Sequence, residues 1–63
     1  MLTYRIYLCE PLPFVGLHSE GYLLVSESEL DSLIEGEAIV KELTTGQTQN
    51  IYYSDLKMIV KDY

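Results

Sequence analysis

Tyr22-Leu23-Leu24-Val25-Ser26-Glu27-Ser28-Glu29-Leu30-Asp31-Ser32-Leu33-Ile34-Glu35-Gly36 is the stretch whose reading decides the fold. Tyr22 to Val25 is a short continuous apolar run of strand length. Ser26-Glu27-Ser28-Glu29 has the capping-box form, in which the Ser26 hydroxyl accepts from the Glu29 amide and the Glu29 carboxylate accepts from the Ser26 amide. Val25 and Leu30 fall at the two staple positions that fix how the chain enters a helix. Leu30, Leu33 and Ile34 recur at the spacing of one apolar stripe, with Glu27, Glu29, Asp31 and Glu35 largely off it. Acidic residues in the first turn complement the helix dipole, and Gly36 is a natural stop. The stretch predicts a strand and then a capped helix of about two to three turns, too short to persist without tertiary packing.

Outward toward the N-terminus, Thr3 to Cys9 alternates, with Tyr4, Ile6 and Leu8 on one face and Thr3, Arg5, Tyr7 and Cys9 on the other. Glu10-Pro11-Leu12-Pro13 ends that strand, because proline removes a ladder donor. Toward the C-terminus, alternation returns over Glu37 to Leu43. A turn, Thr44-Thr45-Gly46-Gln47, precedes a returning strand, Thr48 to Tyr53. Ser54-Asp55-Leu56 reads as a tight or 3₁₀ turn capped by Ser54 or Asp55, and Lys57 to Val60 as a last strand. The expected fold is α+β, a small antiparallel sheet of four to five strands with one short helix. The stretch from Gly36 to Val60 also has the layout of the second half of an SH3-like small β-barrel, which is the alternative closure.

The 63 residues are read as a single domain, 1–63, with 48% hydrophobic and 22% charged residues, ordinary for a folded chain. A core this small supplies only about 3–5 kcal/mol, so small domains commonly add a staple. The lone Cys9 cannot form an internal disulfide, and one His with one Cys is too few for a closed zinc site. No metal or cofactor is expected, which leaves self-association as a homodimer. An unpaired cysteine fits a reducing cytoplasm, and no apolar run approaches the roughly 18 residues of a membrane span.

A net charge of −6 repels phosphate backbones and anionic membranes and attracts basic surfaces, so direct nucleic-acid binding is disfavoured. Nucleophilic chemistry needs a base beside the nucleophile, and the only His, His18, reads as a surface or loop-packing residue. Cys9 reads as a small buried hydrophobe. Gly-rich phosphate loops, zinc spacings and calcium loops are absent from the sequence, and the chain is read as no enzyme.

Two features point to protein binding. Acidic residues concentrate in the middle of the chain, including Glu27, Glu29, Asp31, Glu35 and Glu37, with Lys41 the only basic residue among them. Such a surface either keeps the chain soluble or docks on a basic groove of another protein. Six tyrosines are many for this length, and tyrosine is enriched at interfaces. Tyr52 and Tyr53 are adjacent in the returning strand, so they should point to opposite faces.

The succession of Tyr22 to Val25, Ser26 to Glu35 and Glu37 to Asp55 resembles the strand, acid-capped helix and hairpin of phage-encoded uracil-DNA glycosylase inhibitors, small acidic proteins that imitate DNA. Small acidic anti-CRISPR and other anti-defence proteins share these general features. The resemblance covers about two thirds of the chain. It implies an inhibitor, encoded by a phage or mobile element, that acts in the host cytoplasm. Its partner would be a host protein with a basic nucleic-acid-binding groove. Glu27 and Glu29 would make phosphate-like contacts, and exposed apolar groups nearby would receive a probing side chain of the partner. The alternative is a homodimeric structural or regulatory subunit that binds through its apolar, tyrosine-bearing strands.

Overall fold

The computed structural model describes residues 2–10 and 12–62. Pro11, one of the two prolines expected to end the first strand, lies outside them. The order of elements is β1 (Thr3–Leu8), β2 (Tyr22–Ser26), α1 (Glu27–Ile34), β3 (Ile39–Glu42), β4 (Thr48–Ile51), a 3₁₀ turn η1 (Tyr53–Asp55) and β5 (Leu56–Asp62). The class is α+β, with one helix and antiparallel strands throughout.

The five strands make two sheets, β2-β1-β5 and the hairpin β3-β4. β1 is central, pairing Ile6 with Leu23 on one side and with Ile59 on the other. A register shift between Tyr7 and Leu8 then opposes Leu8 to Leu56. This bulge leaves Lys57 without a register partner, and such bulges bend a strand and raise its twist.

Alternation along β1 and β2 turns Ile6, Leu8, Leu23 and Val25 to one side. There they meet Leu30 and Leu33 of the helix, Ile39 and Ile51 of the hairpin, and Phe14 of the long loop. The loop is held as a partial strand by a bridge between Phe14 and Leu43. The Val15 amide donates to the Glu42 carbonyl and the Thr44 amide to the Pro13 carbonyl, each at 2.8 Å.

The helix begins as its sequence requires. The Glu29 amide donates to the Ser26 hydroxyl at 3.2 Å and the Ser26 amide to the Glu29 carboxylate at 3.0 Å. At the other end Gly36 takes φ +92°, and the Glu37 amide donates to the Ser32 carbonyl at 2.9 Å while the Gly36 amide donates to that of Leu33 at 3.1 Å. This double bond pattern satisfies carbonyls that the helix end would otherwise orphan.

Four local expectations are corrected. Ile34 is 62% exposed and leaves the stripe formed by Leu30 and Leu33. One residue on from the buried Leu33 and three from Asp31, it turns to the exposed side of the helix. Glu37 is not in a strand, because its amide completes the helix stop and β3 begins only at Ile39. Tyr52 and Tyr53 leave the ladder after Ile51. The Asp55 carboxylate accepts from the Tyr52 amide and the Tyr52 carbonyl accepts from the Asp55 amide, both at 2.9 Å, which turns the chain into η1. Cys9 lies past the end of β1 and is exposed, its amide donating to the Asp55 carbonyl.

Candidate interaction surface

Helical geometry sorts the acidic residues into two groups. Glu27, Asp31 and Glu35 are spaced four apart, so they form one stripe on the solvent side, and all three are exposed. Ile34 lies beside them, an apolar knob at an acidic rim. Glu37 follows at the exit of the helix, also exposed.

Glu29 belongs to the other group. Its carboxylate accepts from the Ser26 amide and lies 2.7 Å from the Lys41 ammonium on β3. Partial burial pushes this carboxyl up, but bonds from Lys41 and Ser26 outweigh it and hold the group below its ordinary range. Glu29 is thus engaged within the chain, and Lys41, which the sequence placed among acids, is its partner.

The free stripe opposes local stability. Like charges four residues apart repel, and no basic residue stands in the last turn to complement the carbonyl end of the helix dipole. A helix selected for stability alone would carry Lys or Arg near Asp31 and Glu35.

The two tyrosines fall elsewhere. Tyr52 and Tyr53 are exposed, and Tyr53 lines a shallow depression with Leu56, Lys57, Met58 and Ile59 to which no helical residue contributes. A second groove, about 350 Å³, has Leu8, Leu12, Phe14 and Ile51 among its walls and Glu10 and Asp55 at its rim. None of the seven residues expected to bind a partner lines it.

The sequence reading missed a third surface, the face of β2-β1-β5 turned away from the core. Tyr22 is covered there by His18, stacked at 4.4 Å between centroids and 14° between planes, and by the Arg5 guanidinium 4.6 Å from its ring centre. Tyr7 packs at 5.3 Å on the same ring. Arg5 also forms an ion pair with Asp62 at 2.9 Å. Hydrogen bonds with Tyr7 and then Asp62 hold its proton more tightly than usual. The alternation of Thr3, Arg5 and Tyr7 was the available signal, but the opposing residues are set by the register of β5, far away in the chain.

Among the described residues, no helix is long and apolar enough to cross a membrane. Comparison with known protein families, curated proteins and solved structures gives no match.

Proposed function

We propose that the chain is a protein-binding inhibitor whose helix face, Glu27, Asp31 and Glu35 around Ile34 with Glu37 at its exit, occupies a basic nucleic-acid-binding groove of another protein. The carrying observation is that, among the described residues, no cation pairs with this stripe, although repulsion along it and, at Asp31 and Glu35, the carbonyl end of the helix dipole act against it. Glu29, which faces Lys41, serves the fold rather than the partner. Ile34 would enter an apolar depression between the partner's phosphate-binding cations, so charge steers the encounter and an apolar contact slows departure. The resemblance to DNA-imitating inhibitors supports the same reading.

The hairpin, 3₁₀ turn and final strand returning beside β1 favour a finer description of the fold as a small open barrel of SH3-like layout. The unpaired cysteine supports a reducing, cytoplasmic setting.

The test is capture of the partner from lysate by the wild-type chain and by the E27Q/D31N/E35Q triple variant, followed by binding at several salt concentrations. Wild type should bind with an affinity that falls as salt rises, and the triple variant should lose at least tenfold while keeping its circular dichroism. Equal affinity of the two chains would remove the acidic stripe from the interface.

A further inference from the structure

We infer that the open edge of β4 and the groove beside it form a docking site for an extended, basic segment of another protein, which adds to the hairpin as a further strand. Register decides which backbone groups are open. The Leu43 amide donates to the Gln47 carbonyl at 2.7 Å, so hydrogen-bonded pairs alternate from there and fall at Lys41 with Gln49 and Ile39 with Ile51. Thr48 and Asn50 therefore turn their amides and carbonyls away from β3. The same alternation turns the Glu42 carbonyl outward on the β3 side, where the Val15 amide donates to it at 2.8 Å. The long loop thus covers the edge of β3, and β4 keeps the open edge of the hairpin. Among the described residues, neither the Thr48 nor the Asn50 amide has an acceptor, and both residues are exposed.

The groove fixes the chemistry of the occupant. Its volume of about 350 Å³ falls within the roughly 300–1,000 Å³ of ligand sites, and Leu8, Leu12, Phe14 and Ile51 make its floor. Gln49, Asn50 and Ile51 follow one another along one wall. Successive strand side chains point to opposite faces, so three in a row border a groove that runs along the strand's edge. The rim carries the carboxylates of Glu10 and Asp55, both exposed. One Asp55 oxygen accepts from the Tyr52 amide at 2.9 Å, and among the described residues the other, like the Glu10 carboxylate, has no partner. None of the chain's four basic residues lines the groove. An unpaired anionic rim over an apolar floor complements lysine or arginine, which lays its methylenes on apolar surface and keeps its charge at the edge.

Edge and groove together select an extended peptide over a free amine. Main-chain bonds to Thr48 and Asn50 supply affinity, and alternate side chains of the added strand supply selection. The docking segment accordingly carries an apolar and a basic residue two positions apart, the first on the floor and the second at the carboxylates. A second copy of this chain does not fit that description. Its net charge is −6, and Arg5 and Lys41 are already held by Asp62 and Glu29. The site does not rest on the reading of the helix stripe, since no helical residue lines the groove.

NMR titration of the isotope-labelled chain with the peptide acetyl-Thr-Val-Thr-Lys-Thr-amide tests this. Binding with a Kd of about 0.1–1 mM should shift the resonances of Leu8, Leu12, Phe14 and Ile51 and slow amide exchange at Asn50. Norleucine in place of lysine should weaken binding about fivefold, and so should E10Q/D55N, which keeps an oxygen to accept from the Tyr52 amide. Asn50→Pro removes an amide that the β3 ladder does not use, so circular dichroism should be unchanged while binding falls about tenfold. Methylating alternate peptide nitrogens makes the same test without altering the chain. One methylation pattern, on the peptide edge that faces β4, should abolish binding, and the other should spare it. At about 0.15 M salt E27Q/D31N/E35Q should bind the lysine peptide within about twofold of the wild type. Equal binding of the lysine and norleucine peptides would overturn the proposal. So would indifference to both methylation patterns, loss of binding in the triple variant, or no shifts at about 10 mM peptide.

Discussion

The Lys41 ammonium lies 2.7 Å from a carboxylate oxygen of Glu29, so one ion pair ties the start of the helix to the hairpin that follows it. The same carboxylate accepts from the Ser26 amide, and a residue that reads locally as a cap also sets how helix and hairpin meet.

Replacing Lys41 by Met should return the Glu29 carboxyl toward its ordinary value, measurable by NMR titration. Exposed and half-exposed pairs contribute about 0.2–1 kcal/mol, and a Lys41/Glu29 double-mutant cycle should give a coupling in that range. Ser26→Ala removes the capping hydroxyl and should cost about 1 kcal/mol in chemical denaturation.

The pH dependence follows in sign. Because the folded state holds Glu29 below its unfolded value of 4.5, its contribution is complete above that pH and is lost as pH falls through the lower folded value. Melting temperature should therefore decline in acid for the wild type, and less steeply for Glu29→Gln.

Gly36→Ala isolates a backbone effect. A methyl group there meets nothing within 4 Å, yet φ is +92°, where an L side chain is strained. The variant should lose about 1 kcal/mol with no change in core packing. A neutral result would show that the helix end relaxes.

Leu33 is completely buried where the helix meets the strands. Leu33→Ala should cost about 2–5 kcal/mol, comparable with the whole stability of so small a domain, and should unfold much of the population at 37 °C.

E27Q/D31N/E35Q should behave in the opposite way and raise the melting temperature by about 2–5 °C, since relief of repulsion along the stripe and at the carbonyl end of the helix outweighs the loss of Glu27 from the first turn. A fall in melting temperature would mean that these acids stabilise the fold, and would remove the main argument for their role in binding.

Elements governed by neighbours in sequence were legible. The capping box, the glycine stop, the first strand and the hairpin all follow from residues within a few positions of one another. What could not be read depends on distant pairing. Ile34 has the period of the apolar stripe, yet only Leu30 and Leu33 are buried, a choice made by tertiary packing and not by spacing. The capping box marks Glu29 as an acid engaged at the helix start, unlike Asp31, but its second partner, Lys41, lies twelve residues beyond it and is not legible from local sequence. Tyr52 and Tyr53 have strand character, but the Asp55 carboxylate takes the Tyr52 amide and turns the chain first. β5 continues to Asp62 because β1 offers it partners as far as Thr3.

The pairing of Thr3 with Asp62 has a mechanical consequence. Both ends of the described chain leave the sheet at the same side, while the hydrogen bonds between β1 and β5 run perpendicular to the strands. A force applied between the termini would load those bonds one after another, peeling β5 from β1 like a zipper rather than shearing all of them together. The domain should yield to weak pulling between its ends, and a translocating motor that grips the chain beyond β5, an edge strand, would meet its resistance in small successive steps.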